Sequence, residues 1–319
     1  MRRRKFITFA GGAVAWPIAA RAQQPAMPVV GFLHYTSPDK LAHLATAVRG
    51  GLKETGYVES QNVAEGDYDR LPALAADLVR RKVTVITAGG NSSAQVAKEA
   101  TATIPVVFTS GADPVKSGLV VSLSRPGGNL TGVSFIAVEI ANKRLELTRE
   151  LPPQAGAVAM IVNPNFAGAE TEFAEVEAAG RSLGFRTTRL TASNASDLDA
   201  AFATMAQQGV GAVMVGTDGF FIDRRDQIAG LAIGYRVAGI YPFPDFPEAG
   251  GLMSYGASLA NGYRQVGVYA GRILKGAKPA DLPVVQPTKF DLVINLKAAK
   301  AIGLTIPSMM LTRANNVIE

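Results

Sequence analysis

Two patterns of apolar positions alternate along this chain. Short runs rich in β-branched residues are PVVGFLHY (28–35), KVTVITAG (82–89), IPVVFTSG (104–111), AVAMIVNP (157–164), FRTTRLTA (185–192), VGAVMVGTD (210–218) and GIYPF (239–243). Between them, apolar residues recur every three to four positions in 43–56, 71–82, 140–151, 169–184 and 197–209. The first pattern predicts buried strands and the second amphipathic helices, so the alternation predicts βαβ units around parallel sheets. Gly56, Gly184 and Gly209 stand where a left-handed residue closes a helix. The plan starts afresh near residue 157: AVAMIVNPNFAGAETEFAEVEAAGRSLGF repeats the order strand, polar turn, helix, Gly-aromatic of PVVGFLHYTSPDKLAHLATAVRGGLKETGY. Two similar lobes are therefore expected, not one large sheet.

Polar residues gather at the C-terminal ends of the predicted strands, where open α/β sheets bind ligands. Thr36 and Ser37 follow the first strand, Ser110 and Asp113 a later one, and Asn163 and Asn165 the one that opens the second lobe. ITAGGNSSAQVA (86–97) reads as a strand end, a glycine turn and a helix start. Free N–H groups there, on Gly90, Asn91 and Ser92, hold an anion well, although a tight turn with a serine N-cap explains the same residues. Asp218 either caps the helix that follows it or meets a ligand ammonium group, and one carboxylate can do both. Tyr35, Phe166, Phe220 and Phe243 lie at or just after strand ends, with Phe221, Tyr241 and Tyr255, and together they predict a cleft with some aromatic walls.

The first 22 residues change the charge picture. Arg3 and Arg4 precede an apolar run, Phe6 to Ala20, and Ala20-Arg21-Ala22 has the small-x-small pattern of a cleavage site. This is the layout of an export signal cut after about Ala22, and the adjacent arginines favour the twin-arginine route over general export. The whole chain carries +6, but Arg2, Arg3, Arg4, Lys5 and Arg21 all lie in that segment with no acid, which leaves +1 for residues 23–319. A basic footprint for nucleic acid is therefore absent. The chain has no cysteine, hence no disulfide framework and no lipid-anchoring cysteine. No apolar run of membrane-spanning length follows Ala22. A periplasmic protein without membrane insertion is expected.

Catalytic equipment is thin. There are two histidines: His34, at a strand end within reach of a ligand, and His43, at a helix start and expected at the surface. Neither has a partner at metal-ligand spacing. The chain has no Gly-x-Ser-x-Gly elbow, no Gly-x-Gly-x-x-Gly and no P-loop. Asp218, Asp223 and Asp226 do not fit a calcium loop. A binding protein with no metal and no cofactor is the expectation, not an enzyme.

At this point the chain resembles a known family. MRRRKFIT, AARAQQPAMPVVGFL, GLKETGYVESQNV, YDRLPALAADLVRRKV, IPVVFTSGADPVKSGLVVSLSRPGGNLTGVSF, KRLELTREL, GGLMSYGASLANGYRQVGVYAGRILKGAKPADLPV and KFDLVINLKAAKAIGLTIP are similar to the ABC-transporter substrate-binding proteins that include tryptophan- and tyrosine-binding receptors. The resemblance implies a type I periplasmic-binding-protein fold: α/β, two Rossmann-like lobes, a three-crossing hinge and a ligand cleft between the lobes. It implies an N-lobe of 24–135 plus 252–280, a C-lobe of 136–251 plus 281–306, and a C-terminal tail of 307–319. The crossings are expected near 133–137, 248–253 and 281–287. It further implies a monomer that captures a small polar or zwitterionic solute and docks on an ABC permease with its cytoplasmic ATPase. A ligand-sensing module that reports to a signalling partner shares the same fold. The family's cleft loops fall here on 35–37, 90–93, 110–113, 163–166, 217–220 and 243–245. One departure stands out: SQNV runs directly into AEG, where relatives continue with several strand residues. The second strand is then either cut short, exposing the lobe's edge, or re-registered through YVESQNVAEG.

Overall fold

Val30–His34, Val85–Gly89, Val106–Ser110 and Leu130–Ser134 are buried along their whole length. Strands covered on both faces read as nearly continuous apolar runs, and such runs belong to parallel sheets. A computed structural model describes residues 27–35, 38–57, 61–65, 70–138, 140–151, 156–166 and 168–319. The export signal and Thr36 lie outside the described residues.

The first lobe opens with β1 (Val30–His34), α1 (Pro38–Glu54), β2 (Gln61–Glu65), α2 (Leu71–Arg80), β3 (Val85–Gly89), α3 (Asn91–Ala100), β4 (Val106–Ser110) and β5 (Leu130–Ser134). Its five strands pair in parallel in the order β2-β1-β3-β4-β5. The second lobe follows with α4 (Ala141–Arg149), β6 (Ala157–Val162), α5 (Ala169–Leu183), β7 (Arg186–Thr191), α6 (Ala195–Gln207), β8 (Ala212–Val215), α7 (Gly219–Asp223), α8 (Arg225–Gly234), β9 (Ala238–Tyr241), α9 (Asp245–Glu248) and β10 (Met253–Gly256). The chain then returns to the first lobe as α10 (Leu259–Leu274). It crosses back for β11 (Asp291–Asn295), α11 (Leu296–Ile302), α12 (Ser308–Arg313) and β12 (Asn316–Ile318). The second sheet has the order β12-β11-β10-β9-β8-β6-β7, parallel except for the antiparallel pair β10–β11. Within it, β7-β6-β8-β9-β10 repeats the strand order of the first sheet. The restart seen at residue 157 is thus a true structural repeat.

Helices cover both faces of both sheets. In the first lobe α1 and α10 take one face, α2 and α3 the other; in the second, α4 and α5 oppose α6 and α8. The α1–α10 pair is unusually close because glycines face backbone. A Cβ on Gly51 would stand 1.9 Å from the Arg264 carbonyl oxygen, and one on Gly267 would stand 2.0 Å from that of Val48. Gly267→Ala is expected to part the helices and cost about 1–3 kcal/mol, an overpacking effect readable by urea denaturation. Gly184 closes α5 at φ 79°, as its position predicted.

Several expected boundaries shift. β10 hydrogen-bonds to β9 and β11, so residues 253–256 belong to the second sheet, and the crossing expected at 248–253 falls at 257–258. Residues 282–285 stay with the first lobe. The Thr131 hydroxyl donates to the Leu282 carbonyl (2.7 Å), and Val285 pairs with Val133 beyond the edge of β5. The third crossing therefore follows Val285. The expected tail, 307–319, instead supplies α12 and the edge strand β12. The second strand forms: Gln61–Glu65 pairs along its full length with Val30–His34, at the sheet edge. The first crossing is conformationally specific. Ile136, a β-branched residue, holds φ 45°, and Phe135, Ala137 and Val138 are pinned by the Ser110 and Gly111 carbonyls.

Candidate functional site

In a doubly wound sheet of order 2-1-3-4-5, the strand order reverses between β1 and β3, and a crevice opens outside their carboxyl ends. The loops there carry Tyr35 and Gly90–Ser92. The same reversal in the second lobe lies between β6 and β8, whose loops carry Asn163–Phe166 and Thr217–Gly219. The two reversals face each other across one cleft. Tyr35, Gly90, Asn91 and Ser92 line it from the first lobe, and Phe166, Asp218 and Phe243 from the second.

The lobes meet closely. A Cβ on Gly219 would stand 1.8 Å from Cζ of Tyr35, and one on Gly111 would stand 3.1 Å from the Thr217 side chain. Phe135, at the first crossing, meets Phe243 edge to face at 5.6 Å. His43, exposed as expected, has Nε2 3.2 Å from Oδ1 of Asp245, joining α1 to α9 across the lobes. A cavity of about 30 Å³ lies between the lining residues.

Polar groups in the cleft are held in place. Gly90, at φ 85°, begins α3 with no side-chain cap, so the serine N-cap is not formed. Asn91 Oδ1 accepts from the Ser110 hydroxyl (3.1 Å) and the Gly111 amide (3.0 Å). The Gly90 amide donates to Thr109 Oγ1 at 2.9 Å. Opposite, Asp218 Oδ1 accepts from the Phe220 amide (3.1 Å) and from Asn163 Nδ2 (2.7 Å). Asp218 is therefore an N-cap and a cleft residue at once.

Other expected residues lie behind or beside the cleft. Ser110 is buried, its hydroxyl turned to Asn91 and the Ala112 carbonyl. Asn163 is buried and donates to Asp218. Asn165 is exposed and contributes only a backbone turn to Asn163. Phe220 packs into the core against Phe221 at 5.3 Å. Asp113 caps the Val115 and Lys116 amides beside a separate chamber of about 310 Å³ that shares Asn91 with the first. His34 is 1% exposed and lies beneath the cleft.

Sequence reasoning did not find Thr109, Phe135, Ile222, Leu259 and Tyr263, which also line the cleft. Thr109 stands inside a strand, and Leu259 and Tyr263 lie on a helix that the chain sends back from the other lobe. No local pattern marks such residues.

A charged layer lies directly below. Glu172, fully buried on α5, accepts the Thr217 amide with both carboxylate oxygens at 3.1 Å. Burial pushes its pKa up to about 7 against the pull of Arg144, and nearby Asp218 adds to the rise. Arg144, also fully buried, donates from Nη2 to the Ala137 carbonyl at 2.8 Å. Burial lowers its pKa to about 10, against the attraction of Glu172. The floor of the cleft is thereby connected to the first hinge crossing.

Residues 29–318 match the family model described as ABC transporter substrate binding protein. The chain belongs to that family. A tyrosine-binding protein of Clostridioides difficile (strain R20291) is 27% identical over 266 residues, covering 79% of this chain and 74% of its own. The crystal structure of an ABC domain in complex with L-Trp from Streptococcus pneumoniae superposes with a TM-score of 0.83 at 25% identity, covering 91% of this chain and 99% of that one. A conserved domain protein from Vibrio cholerae O1 biovar El Tor gives 0.84 at 26% identity, with the same coverage. The two-lobed architecture is that of type I periplasmic binding proteins. As an ABC substrate-binding protein, the chain serves binding of a small molecule for a transporter. Among the described residues no helix is long and apolar enough to cross a membrane.

Proposed function

We propose that this protein is the periplasmic receptor of an ABC importer. It captures an amino acid, an aromatic one by preference, between its lobes and delivers it to a membrane permease served by a cytoplasmic ATPase. The observation that carries this reading is the pairing of opposite polar poles across one cleft. The first turn of α3 offers amides and the positive end of a helix dipole, suited to a carboxylate. Asp218 lies on the facing lobe, suited to an ammonium group. Tyr35, Phe135, Phe166 and Phe243 provide aromatic walls between them. The relative that binds tyrosine and the structure that holds L-Trp support the same ligand class. Residues 1–22 act as a cleaved export signal of twin-arginine type, and the mature chain works as a monomer.

The test is a thermal-shift screen of residues 23–319 with an external dye, since the single tryptophan, Trp16, lies in the export signal. L-tryptophan or L-tyrosine at a hundred times Kd is expected to add about 2.7 kcal/mol of apparent stability. Asp218→Asn retains a cap acceptor but loses the charge. It is expected to weaken binding at least tenfold by calorimetry and to leave the ligand-free melting point nearly unchanged. A cooperative melt that no amino acid moves would remove the amino-acid reading.

A further inference from the structure

Behind the cleft wall runs a chain of hydrogen bonds whose direction is determined at one end. The Gly90 amide can only donate, and it donates to Thr109 Oγ1 at 2.9 Å. The Thr109 hydroxyl passes its own hydrogen to Tyr263 Oη at 3.4 Å. Tyr263 Oη keeps its own hydrogen and lies 2.9 Å from Nε2 of His34, a contact whose direction depends on the His34 tautomer. Followed in this sense, the relay ends on an imidazole nitrogen that accepts. His34 is then neutral and carries its proton on Nδ1.

The surroundings are built for this arrangement. His34 is 1% exposed, stacked on Phe32 (5.8 Å between centroids, 5° between planes) and tilted against Tyr35 at 4.1 Å. Burial lowers its pKa to about 3, in keeping with a neutral ring. The relay passes through a notch that only glycine leaves. A Cβ on Gly89 would stand 2.0 Å from Cδ2 of His34 and 2.7 Å from Oη of Tyr263. Gly90, next in the chain, begins the α3 loop on the cleft, and the ring of Tyr35 lies against it.

We propose that His34 is a positioning residue for ligand binding: as the acceptor from Tyr263 in the Gly90–Thr109–Tyr263–His34 relay, it leaves the Tyr263 and Thr109 oxygens on the cleft wall as acceptors for an N–H or O–H group of the solute's side chain. Each of the two hydroxyls has given its hydrogen within the relay and keeps a lone pair. The Gly90 amide is likewise spent, so the anion-binding amides begin at Asn91. His34 touches no ligand itself. This inference rests on the amino-acid reading of the same cleft and adds an orientation to it.

Two measurements on the mature chain test it. Nitrogen-15 NMR of histidine-labelled protein without ligand reads the tautomer directly. His34 is expected as the neutral Nδ1–H form throughout pH 5–8; an Nε2–H tautomer, or an imidazolium titrating near pH 6.5, would overturn the proposal. Calorimetry with L-tyrosine and L-tryptophan then compares His34→Phe, Tyr263→Phe, their combination and His34→Gln. His34→Phe and Tyr263→Phe are each expected to weaken binding at least tenfold, and the double variant no further than Tyr263→Phe alone. His34→Gln, whose side-chain oxygen still accepts, is expected to recover most of the loss. Multiplying losses in the double variant, or unchanged affinity in His34→Phe, would refute the relay's role. A wild-type protein that binds neither amino acid marks the failure of the amino-acid reading, and the tautomer then decides the relay by itself.

Discussion

Arg144→Met is expected to destabilise the protein, and by up to about 1.4 kcal/mol more at pH 8 than at pH 5. Arg144 has no exposed surface, and it donates a hydrogen bond to the Ala137 carbonyl at the first hinge crossing. Its other role is to offset the charge of Glu172, which holds the Thr217 amide below the cleft. Methionine fills most of the volume but removes the charge. At pH 8 Glu172 is ionised, so it is left as a buried charge without compensation or must take up a proton against the pH. At pH 5 it is already protonated, because burial holds its pKa near 7, and only the Ala137 hydrogen bond and some packing are lost. Adding Glu172→Gln to Arg144→Met is expected to recover this extra loss at pH 8 and little at pH 5. Urea denaturation at the two pH values reads this directly; equal losses at both would show that Arg144 acts by packing alone.

The second large effect is one the wild-type protein conceals. His34 and Glu172 are both buried and shifted in ways that oppose one another. His34 has its folded pKa depressed to about 3, so its contribution to stability is present above its unfolded value of 6.5 and is lost as pH falls. Glu172 has its folded pKa raised from 4.5 to about 7, so its contribution is present below 4.5 and is lost as pH rises toward 7. Between pH 4.5 and 6.5 the unfolded chain holds the extra proton on His34 and the folded chain holds it on Glu172. The two slopes then cancel. Arg144 and Asp218 face Glu172, and their effects are already contained in its shift. Glu172→Gln is expected to expose the histidine slope: stability rising with pH by about 1–1.5 kcal/mol per unit relative to wild type, or about 2–3 kcal/mol across the window. His34→Gln is expected to expose the opposite slope. Denaturation midpoints at half-unit pH steps measure both; parallel curves for wild type and Glu172→Gln would show that Glu172 titrates alike in both states.

Much of this molecule is legible in its sequence. Strand runs such as VVFTS and AVAMIV are legible because a parallel strand is buried on both faces, so each residue along it is apolar or small. The restart at residue 157 is legible because each lobe repeats one order of elements. Tyr35, Gly90–Ser92, Phe166 and Asp218 could be placed near a cleft because chain continuity alone puts them just past strand ends. Asp218 was legible twice over, since a carboxylate at a helix start is a local signal.

What depends on distant segments was not legible. Strand order decides that β1 meets β3 and β6 meets β8, and only that order sets the two reversals opposite each other. The return of α10 to the first lobe brings Tyr263 from 229 positions away to His34. The assignment of β10 and β12 to the second sheet rests on pairing partners, which short sequence windows do not encode. Arg144 and Glu172 sit in stretches whose apolar spacing predicts helices but does not mark these two charges as buried. They are buried because α4 and α5 pack together over the second sheet, each offsetting the cost of the other. The sequence by itself thus determined the elements and the residues at their ends, through local periodicity and capping. The tertiary structure decided which ends converge, which hydroxyls join the His34 relay and which charges lose their water, because these depend on contacts between segments that no local spacing specifies.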